Sequence, residues 1–85
     1  MLFRSRLRTL NLDVTDAGSI EAAIATIRDG GSGLDALVNN AGISVNGPIE
    51  FIPLADMRRM FEVNFFGLVA MTQAALPLID RKSVV

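Results

Sequence analysis

Eighty-five residues hold one small domain at most, and a hydrophobic share of 51% with a mean hydropathy of +0.43 is high for so short a chain. The mismatch points to a piece of a larger fold, or to a partner subunit that covers part of the surface. Eight basic and nine acidic residues give a net charge of −1, with no footprint for nucleic acid or an anionic membrane, and the absence of Cys and His excludes disulfides and the usual zinc sites.

Met1 to Leu10 is broken by Arg4, Arg6 and Arg8 and offers no apolar core for a secretory signal. Its acid-free, Arg-rich character would suit a mitochondrial leader, but it merges with a strand, and a reducing cytoplasmic setting is the expectation. Residues Arg8 to Leu12 read as that strand, with Leu10 and Leu12 on one face, closed by Asp13-Val14-Thr15-Asp16. Asp16 is the expected N-cap of a helix from Ala17 to about Arg28. There Ile20, Ala23, Ile24 and Ile27 recur at helical spacing and form one apolar stripe. Gly30-Gly31-Ser32-Gly33 ends it.

Leu34 to Asn39 reads as a second, buried strand that runs into Asn39-Asn40-Ala41-Gly42, two amides followed by two residues too small to block a ligand. Ligands in open α/β sheets bind just outside the carboxyl ends of strands, so this tetrapeptide has a functional as well as a polar-turn reading. Ile43 to Ile52 is a loop marked by Asn46-Gly47-Pro48. Pro53 opens a helical pattern to about Asp80, roughly 42 Å if unbroken. It lacks a Ser or Thr cap, while Asp56 near its start and Arg81 and Lys82 at its end suit the helix dipole.

Met57, Phe61, Asn64, Leu68, Ala75 and Ile79 fall close to one stripe of that helix, whereas Phe65, Phe66, Val69, Met71 and Leu76 spread over other faces. Burial on more than one side is implied, either between its own sheet and a second subunit or wholly within one large domain. Val63 to Ile79 carries no charge, but it is short of the ~20 residues a bilayer needs and contains Asn64, Gln73 and Pro77, so no membrane span is expected.

Taken together, Leu12 to Asp16, Leu34 to Gly42 and Val63-Asn64-Phe65-Phe66-Gly67 stand in the order and spacing of the short-chain dehydrogenase/reductases, which the chain resembles from about residue 8 to residue 80. The Asn-Asn-Ala-Gly form is similar to that of the single-domain branch, which moves a hydride between NAD(H) or NADP(H) and an alcohol or carbonyl group. The resemblance implies that the Asp13 side chain and the Val14 backbone N–H hold the adenine edge. A carboxylate at a strand end suits an exocyclic amine, although Asp13 could also serve only the positive end of the next helix. It further implies that Asn39, Asn40, Ala41 and Gly42 border the adenosine and ribose, with Asn39 a structural amide tying strand to strand. The loop Ile43 to Ile52 would lie beside the substrate pocket.

Asn64 shares its stripe with apolar neighbours, and a buried amide needs specific partners. The resemblance gives it a catalytic place, holding a water that connects to the catalytic Lys; the plainer reading is a satisfied amide at a helix distortion that Gly67 permits. No pyrophosphate-cradling Thr-Gly-x-x-x-Gly-x-Gly loop and no Tyr-x-x-x-Lys pair is present, and Tyr is absent from the chain.

The fold class expected is therefore α/β, a strand-helix-strand-long helix fragment of a Rossmann-like doubly wound parallel sheet, with residues 1–85 a partial NAD(P)-binding domain. In the strand order 3-2-1-4-5-6 its two strands match the third and fourth, which stand three spacings or roughly 14 Å apart and do not pair. The expected function is that of a fragment, inactive alone, of an NAD(P)-dependent oxidoreductase acting on a small alcohol or carbonyl compound. The alternative is a non-catalytic interaction protein using the 53–80 helix. Homo-oligomerisation through that helix is expected on either reading.

Overall fold

The computed structural model describes residues 7–79, and its regular structure is helical. Helix α1 spans Ala17–Asp29, and the Asp16 side chain caps it by accepting the Gly18 N–H at 3.0 Å. Ile20, Ala23 and Ile24 are buried and Ile27 is half-buried, so the stripe read from the sequence is the packed face. The Gly30 N–H closes on the Ile27 carbonyl with ordinary helical backbone; the left-handed conformation comes later, at Gly31 (φ 83°) and Gly33 (φ 66°). A Cβ at Gly33 would stand 2.9 Å from the Leu78 carbonyl oxygen. That close approach lets the Leu34 N–H donate to the same oxygen at 2.8 Å and forms a parallel bridge between Leu34 and Ile79.

Among the described residues that bridge is isolated, with Leu37 a second single bridge position, and neither 8–12 nor 34–39 forms the expected strand. Strands exist through ladders with neighbours, and no backbone hydrogen bond joins these two segments to each other. Leu10, Leu12 and Val38 are 48%, 42% and 68% exposed, presenting apolar side chains that flanking strands would cover.

The long helical pattern is also not one even helix. α2 spans Leu54–Phe61, a π turn follows over Glu62–Gly67, α3 spans Leu68–Ala75, and a 3₁₀ turn closes at Leu76–Leu78. Pro53 precedes α2 without a side-chain cap, and Asp56 sits in its first turn. Asp80, Arg81 and Lys82 lie outside the described residues, as do Arg4 and Arg6. One extra residue in the π turn shifts the helical phase by ~100°, so a stripe drawn straight through it fails. The buried face runs through Gly67, Met71, Ala75 and Ile79, while Phe61 and Leu68 are 51% and 42% exposed and Asn64 is exposed rather than buried.

The core joins α1 to α3, with Ile20 and Ile24 against Met71, Ala75 and Ile79, and Leu34 and Leu37 at its margin. Full burial of each large aliphatic side chain contributes roughly 1.5–3 kcal/mol. By length and composition the 25 residues Leu54–Leu78 suffice to cross a bilayer. That run contains the π turn and is docked through α3 on α1.

Candidate cofactor site and the segments that build it

Asp13 begins the turn that leads into α1. Its Oδ1 accepts both the Thr15 N–H at 2.9 Å and the Thr15 hydroxyl at 2.6 Å, and its own N–H donates to Ser19 Oγ at 2.8 Å. These Thr15 bonds, the hydroxyl first, hold the carboxyl below the ordinary aspartate value of 3.8. Oδ2 has no partner among the described residues, so a charged oxygen is left for a donor from outside. The neighbouring Val14 N–H also donates to nothing among the described residues. The turn into α1 thus carries a free acceptor on one residue and a free donor on the next.

Val14 is fixed from its other end. A Cβ at Gly67 would lie 2.6 Å from Val14 Cγ2 and 3.2 Å from the Glu62 carbonyl oxygen, so the turn and the helix meet where no side chain fits. The second segment meets the same π turn: Asn64 Oδ1 accepts the Ile43 N–H at 2.8 Å, and Asn64 Nδ2 donates to the Ile43 carbonyl at 2.8 Å. A Cβ at Gly42 would stand 3.3 Å from Asn64 Oδ1, tighter than an ordinary contact. Both polar atoms of the Asn64 side-chain amide therefore clamp the backbone that leaves Asn39-Asn40-Ala41-Gly42. The specific partners expected of Asn64 are present, although the residue is exposed, and so is the helix distortion.

Asn39 Nδ2 donates to Thr72 Oγ1 at 3.1 Å, which ties the start of the tetrapeptide to α3. Asn40 and Ala41 are exposed. Among the cofactor-binding candidates, Val14 and Gly42 converge on one turn of helix with Asn64, while Asp13 opens into a cavity of about 500 Å³ lined also by Thr15, Arg58, Arg59, Glu62 and Val63. A second cavity of about 470 Å³ lies between Ile43–Asn46 and the α2 residues Asp56 and Arg59. Sequence reasoning missed Thr72, Arg58 and Arg59. Arg59 had a signal, its position four residues before Val63, whereas a lone Thr in an apolar run had none.

A family model described as short chain dehydrogenase matches residues 2–84. Mouse mitochondrial D-beta-hydroxybutyrate dehydrogenase is 42% identical over 80 residues, covering 89% of this chain and 23% of that protein. Human short-chain dehydrogenase/reductase family 9C member 7 is 44% identical over 79 residues, covering 89% of this chain and 25% of the relative. The crystal structure of NADPH-bound carbonyl reductase from chicken fatty liver superposes with a TM-score of 0.82 at 38% identity, over 89% of this chain and 31% of that one. A short-chain dehydrogenase from Streptomyces avermitilis gives 0.79 at 35% identity over 88% and 28%. The chain thus spans about a quarter of the length of these curated relatives, and the likeness supports a Rossmann-like α/β fold for the segment.

Proposed function

Since the chain belongs to the short-chain dehydrogenase family, a family of NAD(P)-dependent oxidoreductases, we propose that it is part of an enzyme moving hydride between a nicotinamide cofactor and a small alcohol or carbonyl compound. The observation that carries this reading is the convergence of Val14 and Ile43 on one π turn, through Gly67 and Asn64. Three segments distant in sequence meet there, and two of them carry the residues suited to hold NAD or NADP. Asp13 Oδ2 would accept the adenine amine and the Val14 N–H would donate beside it. Asn40, Ala41 and Gly42 would border the ribose, held in place because the missing side chain of Gly42 lets Asn64 Oδ1 close on the backbone there. When bound, the nicotinamide supplies or takes the hydride.

Asn64 is the chain's own contribution near the chemistry. Its side chain is spent on Ile43, so its place in a proton relay would fall to its backbone carbonyl, which a π turn frees from regular helical pairing more readily than an even helix does. The general acid and the pyrophosphate loop would come from outside residues 1–85. The decisive experiment is to sequence the flanking coding DNA and assay the protein it encodes. An in-frame Gly-rich loop and Tyr-x-x-x-Lys, with oxidation of NADH or NADPH by a panel of carbonyl compounds, is the expected outcome. An open reading frame bounded at residues 1 and 85 would overturn it.

A second reading is favoured by one observation, the exposure of Leu54, Phe61, Phe65 and Phe66 along the helix at 67%, 51%, 54% and 55%. On that reading the chain docks on a second copy or a longer relative through this face. The same face would serve a homo-oligomer of the complete enzyme.

A further inference from the structure

We infer that Arg59 forms the outer wall of the adenosine site, its guanidinium plane covering the base whose amine Asp13 accepts; this rests on the cofactor reading above. The cavity beside Asp13 is lined along α2 and the π turn by Arg58, Arg59, Glu62 and Val63. Helical spacing sorts these four into two rows, Arg58 with Glu62 and Arg59 with Val63. Arg58 thus has a carboxylate beside it, whereas the partner in Arg59's row is an apolar side chain. Neither guanidinium makes a hydrogen bond or ion pair among the described residues, so both are free to meet a ligand.

Charge decides what kind of ligand. Asp13 and Glu62 balance Arg58 and Arg59 within the cavity, an arrangement suited to a neutral ring with an exocyclic donor and not to a phosphate. Purine faces stack on planar guanidinium groups, and the Val63 side chain offers an apolar contact in the same row. Asp13 then reads the edge of the base while Arg59 covers its face. Arg59 also lines the neighbouring cavity at Ile43–Asn46, so it stands at the border between the two spaces.

The test is an NMR titration of the isotope-labelled chain with adenosine, inosine and inorganic phosphate in separate arms, with helix content checked by circular dichroism. Adenosine should shift the amides of Thr15 and Val63 with millimolar affinity, and inosine, lacking the amine, should bind more weakly. Arg59→Met should weaken adenosine by about two- to fivefold, the equivalent of ~0.5–1 kcal/mol for an exposed cation over a ring, with Arg59→Lys recovering only part. If Arg59→Met binds like the parent while Asp13→Asn loses adenosine, the Arg59 inference fails and the adenine site stands. If adenosine gives no shift, or neither substitution matters, the adenine reading itself fails. Equal, Arg59-dependent shifts from inorganic phosphate would show the guanidinium reading an anion and would overturn the stacking role.

Discussion

At Asp13 a single threonine does two jobs, since Thr15 both closes the turn and holds the carboxyl in its charged form. A folded value below 3.8 means the stability linked to this group is present above the unfolded value and lost only as pH falls through the lower folded one. Thr15→Val should therefore move the Asp13 titration upward, read by carbon-detected NMR of its carboxyl, while adenosine affinity stays flat across the neutral range in both forms. Asn64→Leu removes two hydrogen bonds to Ile43, each contributing roughly 0.5–1.5 kcal/mol and toward the lower end because water replaces them. Faster hydrogen exchange at the Ile43 amide should report the loss. In an enzyme containing this segment, Asn64→Leu, by releasing the clamp that fixes the π turn and with it the Asn64 carbonyl, should mainly lower kcat, and Asp13→Ala should mainly raise the KM for the cofactor; steady-state kinetics with those effects exchanged would reject the assignment.

The elements respond most sharply at two glycines. Gly67→Ala places a methyl against Val14 and the Glu62 carbonyl, and should cost about 1–3 kcal/mol by urea unfolding. Adding Val14→Ala should restore part of that, because the nearest clashing atom is Val14 Cγ2. Gly33→Ala meets both a left-handed backbone and the Leu78 carbonyl, so it should break the Leu34–Ile79 bridge at a similar cost. What could be read from sequence at this scale follows a physical divide. Helix α1 was legible in cap, stripe and end because its hydrogen bonds are internal and its signals local. The stretches 8–12 and 34–39 carry strand-like apolar patterns, but a ladder needs neighbours the pattern cannot supply. The π turn escaped because Phe61, Asn64 and Leu68 fit an even helix as well as any other residues do; only Gly67 hinted at a distortion. Of the candidate site, the sequence could offer Asp13, the tetrapeptide and Asn64 only as candidates, while the Asn64–Ile43 clamp and the Gly67–Val14 contact are long-range and needed three-dimensional placement.

The whole molecule is open. Its radius of gyration is 15.6 Å, where a compact chain of 85 residues has about 12 Å, and its extents are 49 × 31 × 25 Å. So much uncovered apolar surface promotes association. Phe65 and Phe66 pack edge-on with centroids 5.3 Å apart, yet both remain more than half exposed. Light scattering at tens of micromolar should show oligomers, and Phe66→Glu with Val69→Glu should reduce them; a stable folded monomer of the parent chain would contradict the oligomer reading. Calorimetry should detect no micromolar binding of NADH or NADPH by residues 1–85, because only the adenosine end of a cofactor has candidate partners here.

The Leu34–Ile79 bridge bears on the order of folding. Closing about 45 residues of chain carries a loop entropy that a single hydrogen bond cannot offset, so the bridge forms only once α3 has docked on α1. The Leu34 amide is therefore a reporter of helix docking: its deuterium uptake should track the opening of the α1–α3 contact, and should slow when a ligand or partner steadies that contact.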